Sequence, residues 1–195
     1  MKNNYFEKMR NSLDQYASLA EEDWIKLSEI FQISKYSKAT HIVHPSEESS
    51  RLFFVCTGLI RYYYLADGGK EWNKAFISED MLSASFSKDF LGQLSPYGIE
   101  ALEDSVLLTT RFSDFEALYE TCPMIERLGR KFIELVLISK MKRERSFLQS
   151  DAKTRYLDFV EQYPTLSQRI PQYHLASYLG VSEVSLSRIR CQLTE

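Results

Sequence analysis

Residues 172 to 193 read QYHLASYLGVSEVSLSRIRCQL, and their polar side chains fall at spacings that gather them on one helical face. With Leu186 taken as inward and about 100° per residue, Val184, Ser185, Ser187, Arg188, Cys191 and Gln192 project away from a core. Arg188 has the fork geometry for a bidentate contact to guanine. The serines can donate or accept at base edges and phosphates, and Val184 suits a thymine methyl. Glu183 lies at the helix start, where a carboxylate suits the dipole and can accept from cytosine. Gln172, Tyr173, Ser182 and Arg190 complete the set placed to meet a duplex, at phosphates as well as bases.

The apolar and small residues of the same stretch supply the frame. Leu175, Ala176 and Leu179 share one face of a short helix, and Val181, Leu186, Ile189 and Leu193 would pack a second helix back onto it. Ala176 is small where two steeply crossing helices come closest. Gly180 can take the positive φ of a tight turn, and Ser182 is a natural N-cap. This is the pattern of a helix-turn-helix, whose partner is double-stranded DNA. The competing reading of Arg188 and Ser187 is an ordinary solvated helix face; the joint match of alanine, glycine and four apolar positions favours DNA. His174 is expected to be exposed or at a phosphate, and Arg169, in the short 164–171 connection, to lie near DNA.

The chain has 195 residues and a net charge of −3, which by itself would argue against nucleic acid. The distribution decides otherwise. Residues 1–120 hold 12 Lys and Arg against 19 Asp and Glu, whereas residues 121–195 hold 12 against 8. An acidic front and a basic back suit a sensor joined to a DNA reader. No apolar run reaches the roughly 18 residues of a membrane span, and the N-terminus lacks a signal-peptide core, so no membrane partner and a cytoplasmic location are expected. Cys56, Cys122 and Cys191 are scattered and form no C-x-x-C pair; no metal site and no cofactor are expected from them.

Residues 5–33 carry helical spacing interrupted near Ser18, with Ala20 to Asp23 opening the second helix. From about Ser37 short β-rich runs take over: Ala39–Val43, Leu52–Cys56, Leu59–Leu65, Trp72–Ile77 and Ser105–Arg111. Cys56 to Gly58 and Asp67 to Lys70 read as hairpin turns, and the regular spacing predicts an antiparallel jelly-roll. Pro123 opens a helix to about Ser146. Its Phe132, Ile133, Leu135, Val136, Leu137, Ile138 and Met141 point nearly all round the axis. One domain surface cannot cover them all, so a homodimer is predicted, against the alternative of a helix buried in a monomer. The basic run from Lys140 to Arg145 suits the helix C-terminus and a phosphate-contacting surface. Asp151 to Tyr163 forms a further amphipathic helix. The fold class is α+β: a β-roll sensor over residues 1–120, a dimerisation helix over 121–148 and a helix-turn-helix domain over 149–195.

Roll, long helix and C-terminal reader together resemble the Crp/Fnr family of bacterial transcription regulators, and the resemblance covers almost the whole chain. The residues that carry it are Leu52 to Tyr64 with Asp67 to Glu71, Ala152 to Leu157, and Leu186 to Arg190. It implies a cyclic-nucleotide-binding-like roll whose ligand shifts the dimer helices and the reading heads; a further reading keeps the fold but acts through a protein partner such as RNA polymerase, with weak DNA binding of its own. The departures matter. The segment Asp80 to Ala101 lacks the Gly-Glu pair and the Arg of the family's phosphate-binding cassette, so cyclic AMP is not expected as the ligand. Lys88 does not replace a guanidinium fork. Trp72, Phe86, Phe90 and Tyr97 either line a pocket with Lys88 for a more apolar effector, whose identity is unknown, or simply form core. Val184 stands where many members place a base-reading glutamate, while Arg188 matches their guanine-reading arginine.

A reading from a different class is a cupin-like β-roll binder or enzyme with a helical assembly tail. It would need convergent histidines, and His41 and His44, three apart, are expected on opposite sides of a strand. No Ser/His/Asp arrangement, phosphate loop or carboxylate pair stands out, so no catalysis is expected.

Overall fold

Eight strands divide between two facing four-stranded sheets in a computed structural model that describes residues 2–87 and 92–194. The strands are β1 Gln32–Tyr36, β2 His41–Val43, β3 Arg51–Thr57, β4 Ile60–Leu65, β5 Glu71–Ile77, β6 Leu82–Ser85, β7 Tyr97–Ala101 and β8 Ser105–Arg111. One sheet has the order β1-β8-β3-β6 and the other β2-β7-β4-β5, with every pairing antiparallel. This is the expected jelly-roll, with β1, β6 and β7 added to the five runs that periodicity marks. Those three carry Ser, Gly, Gln and Glu among few apolar residues, so only their pairing partners make them strands.

Strand β3 explains its unbroken apolar sequence. Phe53 and Val55 point between the sheets, while Leu52, Phe54 and Cys56 point to a second cluster under the helices. Both faces are covered, so alternation with polar residues is absent. Gly58 does not close a hairpin as expected, because β3 and β4 lie in different sheets. It carries the chain across the roll at φ 96°. A Cβ there would overlap the Ser105 hydroxyl and lie 2.7 Å from the Asp104 carbonyl oxygen.

Helices α1 Lys2–Leu13 and α2 Glu21–Glu29 lay Met9, Leu13, Trp24 and Leu27 on the outer face of β3. After the short α3 Phe112–Ala117, Pro123 opens α4, Pro123–Gln149, 27 residues and about 40 Å long. Its first half is anchored by Ile125, Leu128, Gly129 and Phe132. Beyond that point its apolar side chains stand in the open, with Leu137 58% and Met141 60% exposed.

The C-terminal helices are α5 Ala152–Gln162, α6 Leu166–Arg169, α7 Gln172–Leu179 and α8 Glu183–Thr194. Asp151 caps α5 by accepting from Thr154 N–H at 2.8 Å. These helices share one core with the roll: Leu59, Phe76 and Leu102 pack with Phe159, Leu166, Ile170, Leu175 and Leu186. No helix among the described residues is long and apolar enough to cross a membrane.

Gly58→Ala combines a positive φ with a backbone overlap, so unfolding in urea should show a loss of about 2 to 4 kcal/mol. A loss under about 0.5 kcal/mol would contradict the crossing geometry.

Candidate DNA interface and an adjoining cavity

Gly180 ends α7 in the left-handed conformation at φ 68° and ψ 36°, its N–H directed to the Ala176 and Ser177 carbonyls. The Val181 N–H follows onto Ala176 O at 3.0 Å. Ser182 then caps α8, its Oγ accepting from Ser185 N–H at 3.1 Å. Leu175, Ala176, Leu179, Leu186 and Ile189 are buried as the spacing predicts, but Leu193 is 40% exposed. Outward stand Ser182, Glu183, Val184, Ser187, Arg188, Cys191 and Gln192. Val184 is 61% and Tyr173 55% exposed.

Besides the capping Ser182, three more of the predicted readers have structural partners. Ser185 is half-buried and shares a 2.8 Å hydrogen bond with the Ser182 hydroxyl. Gln172 donates to the Glu183 carbonyl at 3.1 Å and so ties the two helices together. Arg190 turns inward, donating to Tyr156 Oη at 3.3 Å and to the Ser167 carbonyl at 3.2 Å. The helical spacing already contains this: four residues after Leu186, Arg190 lies only about 40° from it around the axis.

Two basic side chains expected at DNA face the roll instead. Arg169 forks onto Glu79 and Glu103 through four hydrogen bonds of 2.6 to 3.0 Å. The acidic partners come from loops far away in sequence, which is why spacing could not reveal them. His174 is 5% exposed and sits against β5. There Asn73 donates from Nδ2 to His174 Nδ1 and to the His174 carbonyl, both at 3.2 Å, while its Oδ1 accepts from Arg61. That orientation of the amide makes Nδ1 an acceptor, so the ring is neutral with its proton on Nε2. Ser177 completes the seam, accepting from Asn73 N–H at 2.9 Å and donating to the Glu71 carbonyl at 3.3 Å. Arg61 is itself buried, paired with Glu71 and Glu100 and stacked on Tyr63. Burial, and after it the Arg61 charge, pull the His174 pKa down from 6.5 to about 4.

A cavity of about 310 Å³ opens where the roll, α4 and the C-terminal helices meet. Phe86 and Tyr97 line it, and Tyr97 belongs to the buried core between the sheets as well. Trp72 does not: it is 43% exposed, with Lys70 4.0 Å over its ring. Lys88 and Phe90 lie outside the described residues. Sequence reasoning missed Lys74, Lys140 and Arg143, which also line the cavity. Lys74 lies in an ordinary strand pattern and carries no signal, while Lys140 and Arg143 read as a basic helix end facing phosphate and not as part of a cavity. His41 and His44 are stacked 4.6 Å apart, not on opposite sides, because the short β2 breaks register and ends at Val43. Among the described residues no three His, Cys, Asp or Glu side chains cluster as a metal site.

No protein-family model matches the sequence, and no curated protein matches it. Solved structures do resemble the fold. FixK2 from Bradyrhizobium japonicum aligns with a TM-score of 0.74 at 18% identity, over 85% of each chain. A putative Crp/Fnr transcriptional regulator from Eubacterium rectale gives 0.70 at 17%, over 92% of this chain and 85% of that one. The c-di-GMP responsive global regulator CLP from Xanthomonas campestris gives 0.69 at 13%, over 90% and 92%.

Because His174 binds its proton more weakly folded than unfolded, its contribution to stability is complete above pH 6.5 and is lost as the pH falls toward 4. Urea unfolding at pH 7.5 and pH 5 should show the wild type losing about 2 kcal/mol more than His174→Gln over that interval. Equal losses would place the imidazole in water.

Proposed function

We propose that this chain, whose fold is that of the Crp/Fnr regulators, binds double-stranded DNA as a homodimer and regulates transcription in the cytoplasm in response to a small effector held at the roll. The observation that carries the reading is an N-capped, solvent-facing second helix of a helix-turn-helix, with Val184, Ser187 and Arg188 outward and exposed. Arg188 reads guanine, Ser187 and Val184 read adjacent base edges, and Ser182, Glu183 and Tyr173 set the approach to the backbone. Ser185, Gln172 and Arg190 hold the helices in place. No residue is given a catalytic role.

The dimer reading rests on α4. Its half beyond Phe132 exposes Leu137, Ile138, Met141 and Leu148, and large apolar side chains gathered on one helix in this way mark an interaction surface. A second copy of the same helix covers it by symmetry and places two readers on successive turns of one duplex, about 34 Å apart. The sensor roll is divided into residues 1–120, the dimer helix into 121–148 and the reader into 149–195. The effector of this reading is not a cyclic nucleotide, since Asp80 to Ala101 lacks the Gly-Glu pair and the Arg that such a ligand needs.

Arg188→Ala should weaken binding to a selected duplex by about 1 to 3 kcal/mol in an anisotropy titration, with discrimination lost at one base pair of each half-site. Unchanged discrimination removes Arg188 from the interface. Leu137→Glu should weaken self-association by about 2 kcal/mol or more, read by sedimentation. A wild type that sediments as a monomer at micromolar concentration refutes the paired arrangement.

A further inference from the structure

The cavity beside Tyr97 has an unbalanced charge. Lys74, Lys140 and Arg143 line it, and no Asp or Glu does among the described residues. Arg143 is committed, donating to the Tyr178 carbonyl at 2.7 Å and stacking on its ring at 3.9 Å. The two lysines are not. Lys74 Nζ lies 3.7 Å from the centre of the Tyr97 ring and within 6 Å of the Tyr62 and Tyr64 rings, an aromatic surround with no carboxylate in ion-pair reach among the described residues. Burial, and after it the repulsion of Lys140, pull the Lys74 pKa down to about 8. A cation held this way lacks the partner that would repay its desolvation.

The remaining wall is mostly apolar, with Phe132 and Val136 from α4, Leu82 and Phe86 from the roll and Phe159 from α5, and its polar groups are the hydroxyls of Ser83, Ser139 and the lining tyrosines. Among the described lining residues there is no carboxylate to pair with a zwitterion's ammonium or to hold a nucleotide's ribose hydroxyls. The volume sits at the small end of ligand sites. Resting on the regulator reading above, we propose that this cavity is the effector site and that its ligand is a small hydrophobic carboxylate, the carboxylate between Lys74 and Lys140 and the apolar body against Phe132 and Leu82. Tyr178, at the end of the first reader helix, lines the same space, so an occupant presses on the roll, α4 and the reader together. That gives the ligand different contacts in different reader positions, which a regulator requires.

The test is calorimetric titration of the full chain at pH 7 with phenylacetate and hexanoate, and separately with 2-phenylethanol, inorganic phosphate and cyclic AMP. At least one carboxylate should bind once per chain and at least tenfold tighter than the alcohol. Lys74→Met and Lys140→Met should each weaken that binding tenfold or more. The alcohol binding within threefold of phenylacetate, preference for phosphate or cyclic AMP, or no carboxylate binding overturns the assignment. So does undiminished binding by Lys74→Met or, should that variant fail to fold, by Lys140→Met at the cavity edge. Gel retardation of duplex DNA by the same wild-type protein separates the two readings. Carboxylate binding without any DNA binding leaves the ligand class standing and sinks the regulator; DNA binding without carboxylate binding does the reverse.

Discussion

The seam between β5 and the first reader helix is the constraint on which the rest of the molecule depends. Arg61 is buried in the roll, and its charge is offset by Glu71 and Glu100 while it fixes the Asn73 amide. Asn73 then has one orientation, with its donors toward His174, and that choice sets the histidine's tautomer and the height of α7 on the sheet. A buried polar chain of this kind tolerates little sliding, because displacing one member strands the others without partners. The apolar core shared by Phe76 and Leu59 with Phe159 and Leu186 supplies the attraction, and the polar seam supplies the register.

That registration gives α8 its freedom. With α7 held from behind and Arg169 pinned to Glu79 and Glu103, the capped second helix keeps Leu186 and Ile189 in the core and presents its opposite face to solvent. The inward anchors Gln172, Ser185 and Arg190 stiffen the helical pair, so the exposed Arg188 is carried on a rigid support and not on a loop. The proposed base contact needs such support, since a fork-shaped contact to a base edge loses its value when its donor wanders.

Helix α4 joins both halves and answers to two environments. Its first half is clamped by Ile125, Leu128 and Phe132, while its second half has the cavity on one side and solvent on the other. The same turn of helix therefore meets the roll, the cavity with its unbalanced lysines and the apolar strip beyond Leu137. Any small molecule that shifts α4 within the cavity also moves the strip and the reader's attachment at Tyr178. Under the proposed function, this is the physical connection by which occupancy at the roll would be felt at Arg188.

The sequence by itself determined what depends on neighbours in the chain. Helical spacing and Gly180 drew the helix-turn-helix, Ser182 marked its cap, and Pro123 the start of the long helix with its all-round apolar surface. β-rich runs and turn glycines drew the roll, although β1, β6 and β7 stayed hidden because they owe their strand form to partners. Only tertiary structure decided the rest. Arg169 and His174 read as DNA-facing until Glu79, Glu103 and Asn73 are brought to them across 66 to 101 residues. Lys74 and Lys140 become one cluster only when β5 packs beside α4. A side chain's charge is written in the chain, but its use depends on which distant groups the fold places within a few ångströms.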